Sequence, residues 1–80
     1  LILERQRVGG LLVNANLVEN YPGFPDGITG RKMVALLERH LQKMKVRILF
    51  ENVDELSHNG EYFTVKTQER TLCSKAVIIA

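Results

Sequence analysis

The chain has 80 residues, 45% hydrophobic and 25% charged, with a net charge of +2 and one cysteine, Cys73. That length allows at most one small domain, the slight and dispersed positive charge gives no nucleic-acid footprint, and a lone cysteine excludes a disulfide framework and fits a reducing compartment. No apolar run approaches the ~20 residues of a membrane span and no signal-peptide pattern is present, so the expectation is a soluble, cytoplasmic protein without nucleic-acid or membrane partners.

Leu1-Ile2-Leu3 has the aliphatic character of a parallel strand buried on both faces. Glu4 ends it. The charged exit Arg5-Gln6-Arg7 leads to Val8 and the pair Gly9-Gly10, where the backbone can take positive φ or approach a ligand closely; a plain turn explains the same pair. From Gly9 to Gly30 neither a helical nor a strand period persists. This stretch holds five of the six glycines and both prolines. A loop that long inside a compact domain is usually functional or disordered. Its apolar content (Leu11, Leu12, Val13, Leu17, Val18, Tyr21, Phe24 and Ile28) argues against a solvated linker and for an ordered loop packed on something.

Thr29 is the expected N-cap, although Lys32 stands where Glu or Gln would complete a capping box. The helix that follows places Met33, Leu36, Leu37, Leu41 and Met44 on one apolar face, with Lys43 and Lys45 closing its last turn. Val46–Phe50 reads as a strand. Val53–Ser57 and Glu61–Thr67 flank a His58-Asn59-Gly60 turn, a strong hairpin signal. Gln68-Glu69-Arg70 makes a second turn before a short strand over Thr71–Ser74. Ala76–Ala80 reads as a further buried aliphatic strand. Both chain ends resemble strands cut open, so the 80 residues are expected to be an internal piece of a longer protein.

No self-contained catalytic set emerges. Asp26, Glu51, Asp54 and Glu55 read as solvated carboxylates. Cys73 has no partner cysteine and reads as a small inert hydrophobe, and neither histidine has metal-ligand spacing to another donor. What remains is binding. An aliphatic strand ending in a carboxylate is the second-strand pattern of a dinucleotide fold, in which the acid accepts hydrogen bonds from ribose hydroxyls. Glu4 fits that role. The G-x-G-x-x-G loop that should stand roughly twenty residues earlier is not among these residues.

Gly9-Gly10, the run Val18-Glu19-Asn20-Tyr21-Pro22-Gly23-Phe24-Pro25, and Gly27-Ile28-Thr29-Gly30 together resemble the low-molecular-weight thioredoxin reductases, and Ala76–Ala80 resembles the strand that precedes Ala-Thr-Gly in those enzymes. The resemblance covers the whole chain. It implies an α/β fold, part of a Rossmann-like FAD-binding domain with parallel strands, one helix and a three-stranded antiparallel meander. The first βα unit would lie upstream and the NADPH domain downstream. It further implies electron flow from NADPH to FAD to a disulfide to thioredoxin, in a homodimeric parent. Carried over by position, Glu4, Arg5, Gln6, Arg7, Val8, Gly9, Gly10 and Leu11 would line FAD, Asn20 would bond it beside the flavin, and Val53 would offer its backbone to the adenine. None of these residues would be catalytic, and Cys73 does not match the redox pair. Leu11 departs from the Gln common after the glycine pair, which removes a side-chain amide contact but not a backbone one. Alternatives sharing the fold are the ferredoxin–NADP reductases and the alkyl hydroperoxide reductase flavoproteins. A non-catalytic α/β binding module is the reading from another class.

Overall fold

In the computed structural model, which describes residues 1–80, the chain forms two packing units joined in series. The first is a strand–helix–strand unit. Strand β1 (Ile2–Leu3) pairs in parallel with β2 (Ile48–Leu49), Ile2 opposite Ile48 and Leu3 opposite Leu49. Helix α1 (Gly30–Lys43) lies between them in sequence. The second unit is an antiparallel meander of β3 (Glu55–His58), β4 (Phe63–Lys66) and β5 (Thr71–Ser74), with β4 in the centre. The mixed α/β class and the three-stranded meander are as expected from the sequence.

The Thr29 hydroxyl accepts from the Lys32 amide at 3.3 Å, so α1 begins at the expected cap. Its C-terminus is a Schellman turn: Lys45 N–H donates to the Gln42 carbonyl and Val46 N–H to the Leu41 carbonyl. In the meander, Leu56, Val65 and Leu72 stand opposite one another across the three strands, and Val65 is its buried residue. The first hairpin closes through Asn59, whose side-chain oxygen accepts from the amides of Glu61 and Tyr62, both at 2.9 Å. An Asx turn of this kind explains why Asn precedes the glycine here.

The structure corrects one expectation, the strand over Ala76–Ala80, and adds two features. The stretch after Gly9 is not wholly irregular, because Gly10–Asn14 forms a 3-10 turn. Its Leu-Leu-Val sequence gives that turn a side to lay against α1. Ala76–Ala80 forms no strand, and Ile78 and Ile79 are 92% and 84% exposed. β1 is bonded to β2 alone, and no other strand edge stands beside this segment. The apolar stripe of α1 is only partly covered: Met33 and Val34 are buried, whereas Leu36, Leu37 and Met44 are exposed. The 3-10 turn covers one side of the helix.

The same deficit appears in the whole molecule. Four residues are buried, and the accessible surface is 6754 Å², against about 4,900 Å² for a compact chain of this mass. The radius of gyration is 15.6 Å, against roughly 12 Å for a compact domain of this length. No helix is long and apolar enough to cross a membrane.

Candidate functional site

In a parallel pair both strands end on the same edge, and in open α/β sheets ligands sit outside that carboxyl edge. Here the edge is where Glu4 leaves β1 and where Phe50–Asp54 leaves β2. The Glu4 amide donates to the Leu49 carbonyl at 3.0 Å, which holds its backbone in the ladder. Its Oε1 accepts from the Gln6 amide at 2.9 Å, bending the chain out of the strand. Oε2 has no partner and remains an acceptor for a ligand hydroxyl. Arg5, Gln6 and Arg7 are exposed beside it.

The two glycines that follow do different work. Gly9 has φ +95°, and a Cβ there would stand 2.6 Å from both methyl groups of Val34. It is glycine because the loop lies directly on α1. Gly10 has φ +47° and nothing within 4 Å of its Cβ position, so the protein itself leaves that side open. The 3-10 turn is fastened to the start of α1 a second time at Gly30, whose amide donates to the Ala15 carbonyl at 2.9 Å. A side chain at Gly30 would collide with the Leu12 carbonyl. Val8 and Gly9 also line an apolar cavity of about 300 Å³ with Val34, Leu37, Leu41 and Met44. Leu11 is 87% exposed.

Asn20 lies in a separate part of the loop, beyond a bridge in which Val18 and Ile28 exchange backbone hydrogen bonds at 2.8 and 3.0 Å. It borders a shallow cavity formed by Glu19–Pro25, where Tyr21 and Phe24 lie 6.2 Å apart. Its amide has no intramolecular partner and is exposed. Val53 stands in the extended exit from β2. Neither its N–H nor its C=O is hydrogen-bonded within the protein, and its side chain is 42% exposed. Glu4 and Val53 thus leave the same sheet edge, and Gly9 and Gly10 join them through the loop that starts there. No hydrogen bond connects Asn20 to this group.

No family model matches the chain. NADPH-dependent thioredoxin reductase 3 of Arabidopsis thaliana is 38% identical over 72 residues, 90% of this chain and 14% of that protein. The thioredoxin reductase of Mycolicibacterium smegmatis is 34% identical over 80 residues, 100% of this chain and 26% of that protein. The chain resembles one stretch of the thioredoxin reductases. In solved structures, the ferredoxin-flavin thioredoxin reductase of Clostridium acetobutylicum superposes with a TM-score of 0.85 at 25% identity, covering 94% of this chain and 26% of that one. The chain therefore spans about a quarter or less of the thioredoxin reductases it matches.

One residue of the thioredoxin-reductase-like stretch escaped the sequence. Glu51 reads there as a solvated carboxylate, yet its side chain is only 10% exposed, with Oε1 on Arg70 Nη2 at 2.7 Å and Oε2 accepting from the Thr67 hydroxyl at 2.7 Å. Both partners lie far along the chain, so no local pattern marks the contact. Cys73, expected as an apolar filler, is exposed on β5.

Proposed function

We propose that these residues form part of the FAD-binding domain of a thioredoxin-reductase-like flavoprotein oxidoreductase, with the first βα unit and the NADPH domain contributed by polypeptide outside the 80 residues. The supporting observation is the pair of unsatisfied groups at one sheet edge: a carboxylate oxygen on Glu4 and a free N–H and C=O on Val53. A dinucleotide presents ribose hydroxyls and a base edge, and these two residues match both. Gly10 leaves room for a flat group against the backbone, and Asn20 offers an amide further along the loop. The relatives' names and the open apolar surface of α1 support the larger assembly.

In this reading FAD supplies the hydride and electron chemistry, and the chain supplies binding and orientation. Glu4 accepts from ribose, the Arg5–Leu11 loop lines the cofactor, Asn20 bonds it, and Val53 holds the adenine. Electrons pass from NADPH to a disulfide and on to thioredoxin, in a cytoplasmic homodimer. A second reading, with ferredoxin as the electron donor, is favoured by the name of the Clostridium acetobutylicum structure. Equilibrium binding of FAD to the complete protein tests the proposal. Glu4→Ala is expected to weaken FAD by about ten- to a hundredfold, the range for a hydrogen bond to a charged group. Unchanged affinity would remove Glu4 from the site. Turnover with NADPH or with reduced ferredoxin separates the two donors.

A further inference from the structure

We propose that Glu51 is a positioning residue: by clasping the β4–β5 turn it fixes the main chain of Val53 in the orientation that reads adenine. This rests on the FAD reading above and assigns a device to that site.

Glu51 lies two residues beyond β2 and uses both carboxylate oxygens, one on Arg70 and one on Thr67. The Thr67 hydroxyl has a single proton. It goes to Glu51 at 2.7 Å in preference to the Arg70 carbonyl at 3.3 Å. The same oxygen accepts from the amides of Glu69 and Arg70 at 3.2 and 3.0 Å. Thr67 N–H donates to the Arg70 carbonyl at 2.9 Å, closing the turn. Glu51 is therefore bound to a rigid object through charge-assisted hydrogen bonds, the strong kind.

The clasp matters because few hydrogen bonds join the two units. No backbone hydrogen bond links a strand of the meander to α1 or to the parallel pair. Beyond the covalent chain, the exit from β2 is held by Glu51 at one end. At the other end the Asp54 amide donates to the Lys66 carbonyl at 2.8 Å. Asn52 and Val53 are the residues between these anchors, and the Asn52 side-chain amide donates to Asp54 Oδ1 at 3.0 Å, stiffening the span further. Asn52 and Val53 both keep a free N–H and a free C=O inside this doubly anchored span, and Val53 is the one that the FAD reading sets against adenine. An adenine edge sets an amino donor beside a ring-nitrogen acceptor, which one residue's carbonyl and amide can meet together. Orienting those groups before binding removes an ordering cost from the complex.

The test compares FAD with FMN, which lacks the adenosine half, in the complete protein. Glu51→Gln and Thr67→Val are each expected to weaken FAD by about tenfold and to leave FMN within about twofold, while exchange accelerates at the Asp54 amide, which is bonded to the Lys66 carbonyl at the end of the span. Thr67→Ser, which keeps the hydroxyl, is expected to retain the unsubstituted FAD-to-FMN ratio. A loss shared equally by FAD and FMN would mean a general structural role and would overturn the proposal, as would unchanged binding or unchanged exchange at Asp54. If Glu51→Gln does not fold, Thr67→Val decides, since it leaves the Glu51–Arg70 pair in place. An unsubstituted protein that binds no FAD sinks the reading of the site and the positioning role with it. Tight FAD binding with an unaltered ratio in the variants sinks the positioning role alone.

Discussion

Lys45 holds φ 54° at the turn that ends α1, a position where glycine is usual because a Cβ in the left-handed region costs about 1–2 kcal/mol. Lys45→Gly is therefore expected to stabilise the complete protein by about 0.5–1 kcal/mol, part of the relief being offset by the freer unfolded chain. A rise in the denaturant midpoint at constant slope is the measurement. The glycine pair makes a sharper contrast. Gly9→Ala meets both strained φ and the Val34 methyls, and is expected to cost about 2 kcal/mol or more. Gly10→Ala meets only the strain, about 1 kcal/mol, and is expected to keep the fold while lowering FAD affinity by about tenfold. Equal stability losses in the two variants would contradict the division of labour. The sequence shows that Gly9-Gly10 is special. It does not show which glycine serves packing, since that depends on Val34, 25 positions away.

At the scale of elements, legibility follows the range of the interaction. The cap at Thr29, the helix after it and the strand Thr71–Ser74 all rest on neighbours within a turn or two, and the sequence displays them. Thr29→Ala removes the acceptor for the Lys32 amide and is expected to cost about 1 kcal/mol, read as a lower thermal midpoint; an unchanged midpoint would mean that solvent caps the helix as well. The 3-10 turn at Gly10–Asn14 was not legible. Its sequence is too short to display a period, and its anchor is Gly30, on another element. The apolar run Ala76–Ala80 has the composition of a strand, but a strand needs an edge, and composition does not say whether one is present. Glu51 failed for the same reason as Gly9, because its partners Thr67 and Arg70 become neighbours only once the meander has turned back.

For the whole molecule, the surface is about 1,900 Å² larger than that of a compact chain of equal mass. That excess is of the order of an obligate interface, and it includes Leu36, Leu37, Phe50, Ile78 and Ile79. β1 and β2 also offer unpaired outer edges. Residues 1–80 prepared alone are therefore expected to self-associate through those edges and to retain no tightly bound FAD, checked by size-exclusion chromatography and flavin absorbance. A yellow, monomeric preparation would contradict this. The most direct measurement of the central claim is a crystal structure of the complete protein with FAD. Adenine is expected against the Val53 main chain, ribose against Glu4 Oε2, and the cofactor's length along Gly10 towards Asn20. FAD bound elsewhere, with Glu4 and Val53 still facing solvent, would contradict it.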